Sequence, residues 1–125
     1  MPEIWHSISH HGVTPEGTIF AEACTEAGSP WYAGHFPAAP VLPAIAILSM
    51  VKDTISRHES RGDRRIEICR IMRVRFRLPV RPGDSLSIFV SPLAGTDRPT
   101  YRFRVERDGE GACSGMMEGT TYYDG

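Results

Sequence analysis

The sequence predicts an α+β fold in a single domain spanning residues 1–125, with one long helix wrapped by an antiparallel sheet of five or more strands. Three observations predict it. Only Ala44 to about His58 combines helically spaced apolar residues with freedom from internal proline and glycine. The stretches 18–25, 66–78, 85–93, 99–107 and 112–123 instead alternate in the manner of strands. The last of these are joined by turns short enough to make their neighbours antiparallel. Such a sheet has an apolar face that something must cover, and the helix is the one candidate.

Pro37, Pro40 and Pro43 recur every third residue ahead of the helix. Each fixes its own φ and disfavours helical geometry in its predecessor, so Phe36 to Leu42 is held extended and the helix can begin only at Pro43. Proline suits a first helical position because its missing N–H would be unpaired there. Ala44, Ile47, Leu48, Val51 and Ile55 then form one apolar stripe. His35 therefore lies in a stiff loop just before a buried helix whose first turn carries unpaired N–H groups and partial positive charge. The amide of Ala44 or Ile45 is placed to polarise a carbonyl while His35 works on an adjacent proton. The plain alternative is a histidine that only braces the loop.

The remaining elements follow in order. Ile4 to Val13 carries His6, His10 and His11 and reads as a solvated turn, because no Cys, Asp or Glu stands at matching spacing to complete a metal site. Pro15-Glu16-Gly17 is a turn, and in the strand after it Ile19, Ala21 and Ala23 share one side while Phe20, Glu22 and Cys24 share the other. Trp31 and Tyr32 lead into the His35 loop as core or as the rim of a site. Past the helix, Arg57 to Arg65 is a charged exposed turn with Gly62 as the helix stop. In the long strand Val74, Phe76 and Leu78 face one way and Arg73, Arg75 and Arg77 the other. Pro79 to Asp84 is a tight turn with Pro82 preset and Gly83 free to take positive φ, and Asp108 to Gly111 is a hairpin.

Composition narrows the function classes. At 41% apolar and 23% charged the chain is an ordinary globular protein, and a net charge of −1 gives no general attraction to nucleic acid or anionic membrane. Thirteen arginines stand beside one lysine, Lys52, a bias that also suits phosphate recognition. Cys24, Cys69 and Cys113 are odd in number and widely spaced, which fits reduced thiols, no metal and a cytoplasmic setting. No basic start precedes an apolar run, and no apolar stretch is long enough to span a membrane.

Gly34-His35-Phe36-Pro37, followed by Pro40-Val41-Leu42-Pro43, resembles the signature of the 3-hydroxyacyl-acyl carrier protein dehydratases, the hotdog-fold family of fatty-acid synthesis. A second stretch, Phe76-Arg77 through Pro79-Val80 to Pro82-Gly83-Asp84 and Leu86, resembles the same family. The resemblance implies a hotdog fold, no cofactor, and a homodimer or multiple of dimers built by continuing the sheet edge to edge. It implies an acyl thioester as substrate, carried on acyl carrier protein or coenzyme A. His35 is then the catalytic base. The carboxylate expected fourteen residues later is replaced by Ser49, too weak an acid to protonate a leaving hydroxyl.

Asp53, one turn beyond Ser49, is the nearest substitute on the helix; the plain alternative pairs it with Arg57 at i+4. Ser49 itself has a structural alternative, a hydroxyl bonded back to the carbonyl of Ile45. Phe36, Leu42, Ala44, Ile45, Leu48 and Phe76 are the expected acyl-binding residues, some of them plain core. The arginine row is either a solvated sheet face or a contact for the phosphates of coenzyme A or a carrier protein. Three functions are consistent with these residues: a 3-hydroxyacyl thioester dehydratase or hydratase with an altered acid, a thioesterase using Asp53, or an acyl-thioester-binding subunit completed by a partner that supplies the acid.

Overall fold

The structure is a computed structural model and describes residues 6–25, 42–60 and 62–124. Six strands and one helix are found among them: β1 Ser7–Val13, β2 Ile19–Cys24, α1 Ala44–Glu59, β3 Arg64–Phe76, β4 Leu86–Pro92, β5 Thr100–Arg107 and β6 Glu110–Tyr123. They make one curled sheet in the order β1-β2-β4-β5-β6-β3, antiparallel at every junction. The chain leaves β2 near one edge, passes through the helix and returns as β3 at the other edge. This is the hotdog arrangement, as the pattern and the resemblance predict.

The helix differs from expectation in three ways. Pro43 is its N-cap, with φ −61° and ψ 150°, and Ala44 is the first helical residue. The buried face is Ala46, Ile47, Met50, Val51, Thr54 and Ile55, rotated from the predicted stripe. Ala44 is exposed and Leu48 only partly buried against the core. Thr54 explains the rotation: its hydroxyl donates to the Met50 carbonyl at 2.9 Å, so a polar residue sits in the core without an unpaired group. The C-cap is Ser60, whose N–H donates to the Ser56 carbonyl, so the helix ends before the expected stop at Gly62.

Residues 7–13 are a strand and not the expected turn, and Ile8 packs against the core. Gly12 looks like a strand breaker, yet it stands opposite Phe20, and a Cβ there would come within 2.9 Å of the Phe20 ring. The missing side chain makes room for a cross-strand aromatic. β3 departs from simple alternation through bulges between Ile68 and Arg70 and between Met72 and Arg75.

Inward residues cross the sheet in rows. Ile19, Val90 and Phe103 are consecutive partners, as are Ala21, Ile88 and Val105, and all six are buried. Alanines at 21 and 23 leave room for the helix on β2. The far end of the helix is fastened by Tyr101, whose hydroxyl donates to Glu59 Oε1 at 2.9 Å, while Arg64 lies 3.3 Å from Glu59 Oε2.

Two expectations about stability follow from this packing. A Cβ at Gly119 would lie 2.9 Å from the backbone oxygen of Glu67 and 3.1 Å from Ile66, so Gly119→Ala should destabilise the fold by about 1–3 kcal/mol. At Gly111 a Cβ meets nothing within 4 Å, and Gly111→Ala should leave the thermal midpoint nearly unchanged. Equal shifts for the two variants would contradict the packing described.

The second expectation concerns alkaline pH. Burial pushes the Cys113 thiol up to about 11, and burial together with the Glu59 carboxylate holds the Tyr101 phenol well above its ordinary value. Both groups stay protonated in the folded state where the unfolded chain would lose its protons, so stability falls as pH rises. The denaturation midpoint should hold to about pH 9 and decline as pH approaches about 11, and Cys113→Ala should flatten that decline. An unchanged slope would assign the decline to other groups.

Candidate active site at the helix N-terminus

The Pro79–Asp84 turn organises this end of the molecule. Gly83 takes φ 86°, the Asp84 N–H donates to the Arg81 carbonyl at 3.1 Å, and the Arg81 N–H donates to Asp84 Oδ2 at 2.8 Å. Arg107 reaches across from β5 and donates to the Pro79 carbonyl. The turn is tied to both flanks of the stretch 26–41. On one side the Gly83 N–H donates to the Thr25 carbonyl at 2.9 Å, and on the other the Leu42 N–H donates to the Val80 carbonyl at 2.7 Å. Leu42 and Val80 are both buried.

A cleft of about 430 Å³ opens between this turn and the start of the helix. Leu42, Ala44 and Ile47 line one side, and Phe76, Arg77, Leu78, Pro79 and Val80 the other. Its walls are mainly apolar, and Phe76 is 46% exposed. The helix enters with no side-chain cap and no acidic residue in its first turn. The partial positive charge of the helix start is therefore not offset by a carboxylate of that turn.

The expected site residues fall into separate groups. Leu42, Ala44 and Phe76 come together in the cleft. His35 and Phe36 lie outside the described residues. Ile45 is 65% exposed, and Leu48 packs partly against the core. Ser49 is partly exposed, roughly 7.5 Å along the helix axis from Ala44. Back-bonding of the kind considered for Ser49 occurs in the described helix at Thr54.

Asp53 is paired with His6 and not with the expected Arg57. Its Oδ2 lies 2.6 Å from His6 Nε2, with the Asp53 side chain half exposed and the His6 side chain at 9% exposure. His6 is thus part of the packed structure and not the solvated turn residue expected of it. His11 meets His58 edge-on at 5.6 Å between ring centroids. No group of three or more His, Cys, Asp or Glu side chains positioned to hold a metal occurs among the described residues.

Sequence reasoning omits Ile47 and Leu78 to Val80 from the site, and offers Arg77 only as a member of the arginine row. Ile47 carries only a core signal. The Arg77–Val80 stretch carries a turn signal and a family resemblance, and neither says that it faces the helix N-terminus.

Comparison with known proteins agrees with this architecture. A family model described as ApeI dehydratase, ApeI-like, matches residues 11–116. The 3-hydroxyacyl-acyl-carrier-protein dehydratase FabZ of Mannheimia succiniciproducens is 33% identical over 94 residues, covering 70% of this chain and 63% of that protein. FabZ of Polynucleobacter asymbioticus is 34% identical over 104 residues, covering 78% and 69%. The chain thus spans about two thirds of the length of these relatives.

Among solved structures, the dehydratase heterocomplex ApeI:P from Xenorhabdus doucetiae superposes with a TM-score of 0.72 at 22% identity, covering 96% of this chain and 99% of that one. The fluoroacetyl-CoA thioesterase FlK superposes with a TM-score of 0.70 at 13% identity, covering 90% of each. At these identities the superpositions speak for the fold alone. No helix among the described residues is long and apolar enough to cross a membrane. The chain belongs to the ApeI-like dehydratase family of hotdog proteins.

Proposed function

We propose that this protein removes water from, or adds it to, a 3-hydroxyacyl thioester, with the acyl chain in the cleft at the helix N-terminus. The observation that carries this reading is the shared turn: Thr25 and Leu42, which flank the segment containing His35, are both bonded to the Pro79–Asp84 turn, Leu42 to Val80 in the wall of the cleft and Thr25 to Gly83 just beyond it. In this reading His35 takes the proton from C2. The amide of Ala44 or Ile45, in the uncapped first turn, faces the thioester oxygen as it gains negative charge. The C3–O bond then breaks, a C2–C3 double bond forms, and the departing hydroxyl takes up a proton and leaves as water. Ser49 is a poor donor for that last proton. Asp53 is engaged by His6 and starts roughly 13 Å along the helix from Ala44, which favours a structural role for it over catalysis.

A second reading has its own support: the acid comes from another hotdog chain. β3 is a thirteen-residue edge strand with Ile71 and Phe76 exposed, an edge suited to pairing. The similar ApeI:P assembly is a heterocomplex of dehydratase type. In this reading the present chain supplies base and thioester cleft, and its partner supplies the carboxyl group. A symmetric homodimer would place Ser49 at both acid positions.

Incubation of the purified chain with a 3-hydroxyacyl and a saturated acyl thioester, each on coenzyme A and on acyl carrier protein, separates the possibilities by product. An enoyl thioester supports dehydration. Free acid and thiol would support a thioesterase instead, and unchanged but bound thioester the incomplete subunit.

A further inference from the structure

A second depression lies away from the cleft, on the sheet face opposite the helix. It is a trough of about 570 Å³, within the roughly 300–1,000 Å³ of small-molecule sites. Four arginines line it, Arg73 and Arg75 from β3 and Arg102 and Arg104 from β5. Small residues keep it open between them. Ser114 stands opposite both Arg75 and Arg104, and Ser91 stands opposite Arg102. Phe89 and Met116 supply apolar lining.

The β3 bulge makes this arrangement. Met72 faces outward opposite Met116, so regular alternation would turn Arg73 towards the core side and Arg75 after it. The extra residue between Met72 and Arg75 restores the outward phase, leaving Arg75 opposite Ser114 and Arg73 with a left-handed backbone at φ 56°. A non-glycine residue held in that conformation costs free energy locally.

The charges are only partly compensated. Glu106 accepts from Arg104 Nε at 2.6 Å and holds that guanidinium 4.5 Å above the Phe89 ring, and Glu16 also lines the trough. Arg73, Arg75 and Arg102 form no ion pair among the described residues. A second copy of this face would meet like charge. The fitting occupant is an anion with several phosphoryl groups and a flat ring to lie on the Arg104 guanidinium.

The trough is also linked to the cleft. A smaller depression of about 250 Å³ shares Arg104 and Ser114 with the trough and Arg77 with the cleft. Arg73 and Arg77 are four residues apart, at most roughly 14 Å of chain, a span that an extended pantetheine arm covers.

We propose that the trough binds the phosphorylated nucleotide end of a coenzyme A thioester while the acyl end occupies the cleft, an inference that rests on the thioester reading above. Coenzyme A carries a phosphomonoester, a diphosphate and an adenine, which match several guanidiniums around a small-molecule depression. A carrier protein's prosthetic group offers a single phosphodiester.

Calorimetric titration of the full chain with adenosine 3′,5′-bisphosphate and with coenzyme A tests this. Both should bind. Both should weaken at least roughly tenfold in the Arg75→Ala/Arg102→Ala double variant, and binding to the unmodified protein should weaken as salt is raised. Absence of nucleotide binding, or binding unaffected by the variant and by salt, overturns the proposal. So does a variant that raises KM only for a carrier-protein thioester, which would assign the trough to that protein's surface. Nucleotide binding without turnover of any thioester would leave the trough assignment standing and sink the cleft reading. Thioester turnover without nucleotide binding would do the reverse.

Discussion

His35→Ala is expected to lower the rate of water elimination from a 3-hydroxyacyl thioester by about 10²–10⁴, the usual contribution of a positioned proton-transfer group. The loss should fall on kcat with KM little changed, because in the proposed reading the alkyl part of the substrate lies against Leu42, Ile47 and the Phe76–Val80 wall and not against His35. A mutation that merely loosened the loop would instead raise KM and lower the thermal midpoint together. Stopped assays with matched unfolding curves distinguish the two. Unchanged elimination in His35→Ala would mean that the family's base does not act at this position.

Ser49→Glu is expected to change activity by a comparable factor in the opposite direction, provided His35 and the helix amides already do their part. Glutamate returns a proton donor to the family's position, and a general acid is worth about 10²–10⁴. The helix should tolerate it, since Ser49 is partly exposed and outside the packed Met50–Thr54 face. Asp53→Asn is the matching control. With Asp53 bound to His6, that change should cost some stability and leave the elimination rate near that of the unmodified protein. If Asp53→Asn abolished activity and Ser49→Glu added nothing, the acid would be Asp53 after all. If Ser49→Glu did nothing and addition of a second hotdog chain raised the rate, the acid would come from the partner.

The sequence announces those parts of the fold that repeat locally. Five strands and the helix have a period of their own, and their order with a single covering helix leaves few arrangements. β1 is hidden because its histidines read as a solvated turn and Gly12 adds no apolar signal, whereas in the sheet that glycine leaves room for a ring on the next strand. The helix face is shifted because Thr54 satisfies its hydroxyl within the helix and behaves as core. The β3 bulges are a matter of register against β6, a strand distant in the sequence, and leave no local mark.

The candidate site is legible to the extent that it is written in one stretch. Leu42 and Ala44 belong to the proline-rich segment, and Phe76 opens the second family-like segment, so resemblance finds them. The His6–Asp53 contact joins residues 47 positions apart and no spacing rule points to it. The trough is half visible, since Arg73 and Arg75 alternate on one strand. Arg102 and Arg104 join them only because β6 lies between β3 and β5, with Ser114 opposite both Arg75 and Arg104.

Exchange of the C2 hydrogen with solvent deuterium is the most direct test of the central claim, that base and oxyanion donors are in place while the acid is missing from this chain. Proton removal at C2 needs His35 and the helix amides but no acid. The unmodified chain, alone and in D₂O, should therefore label C2 of a 3-hydroxyacyl thioester faster than it releases water, and His35→Ala should abolish the labelling. A thioester left unlabelled by the unmodified chain while its acyl group is hydrolysed would contradict the account.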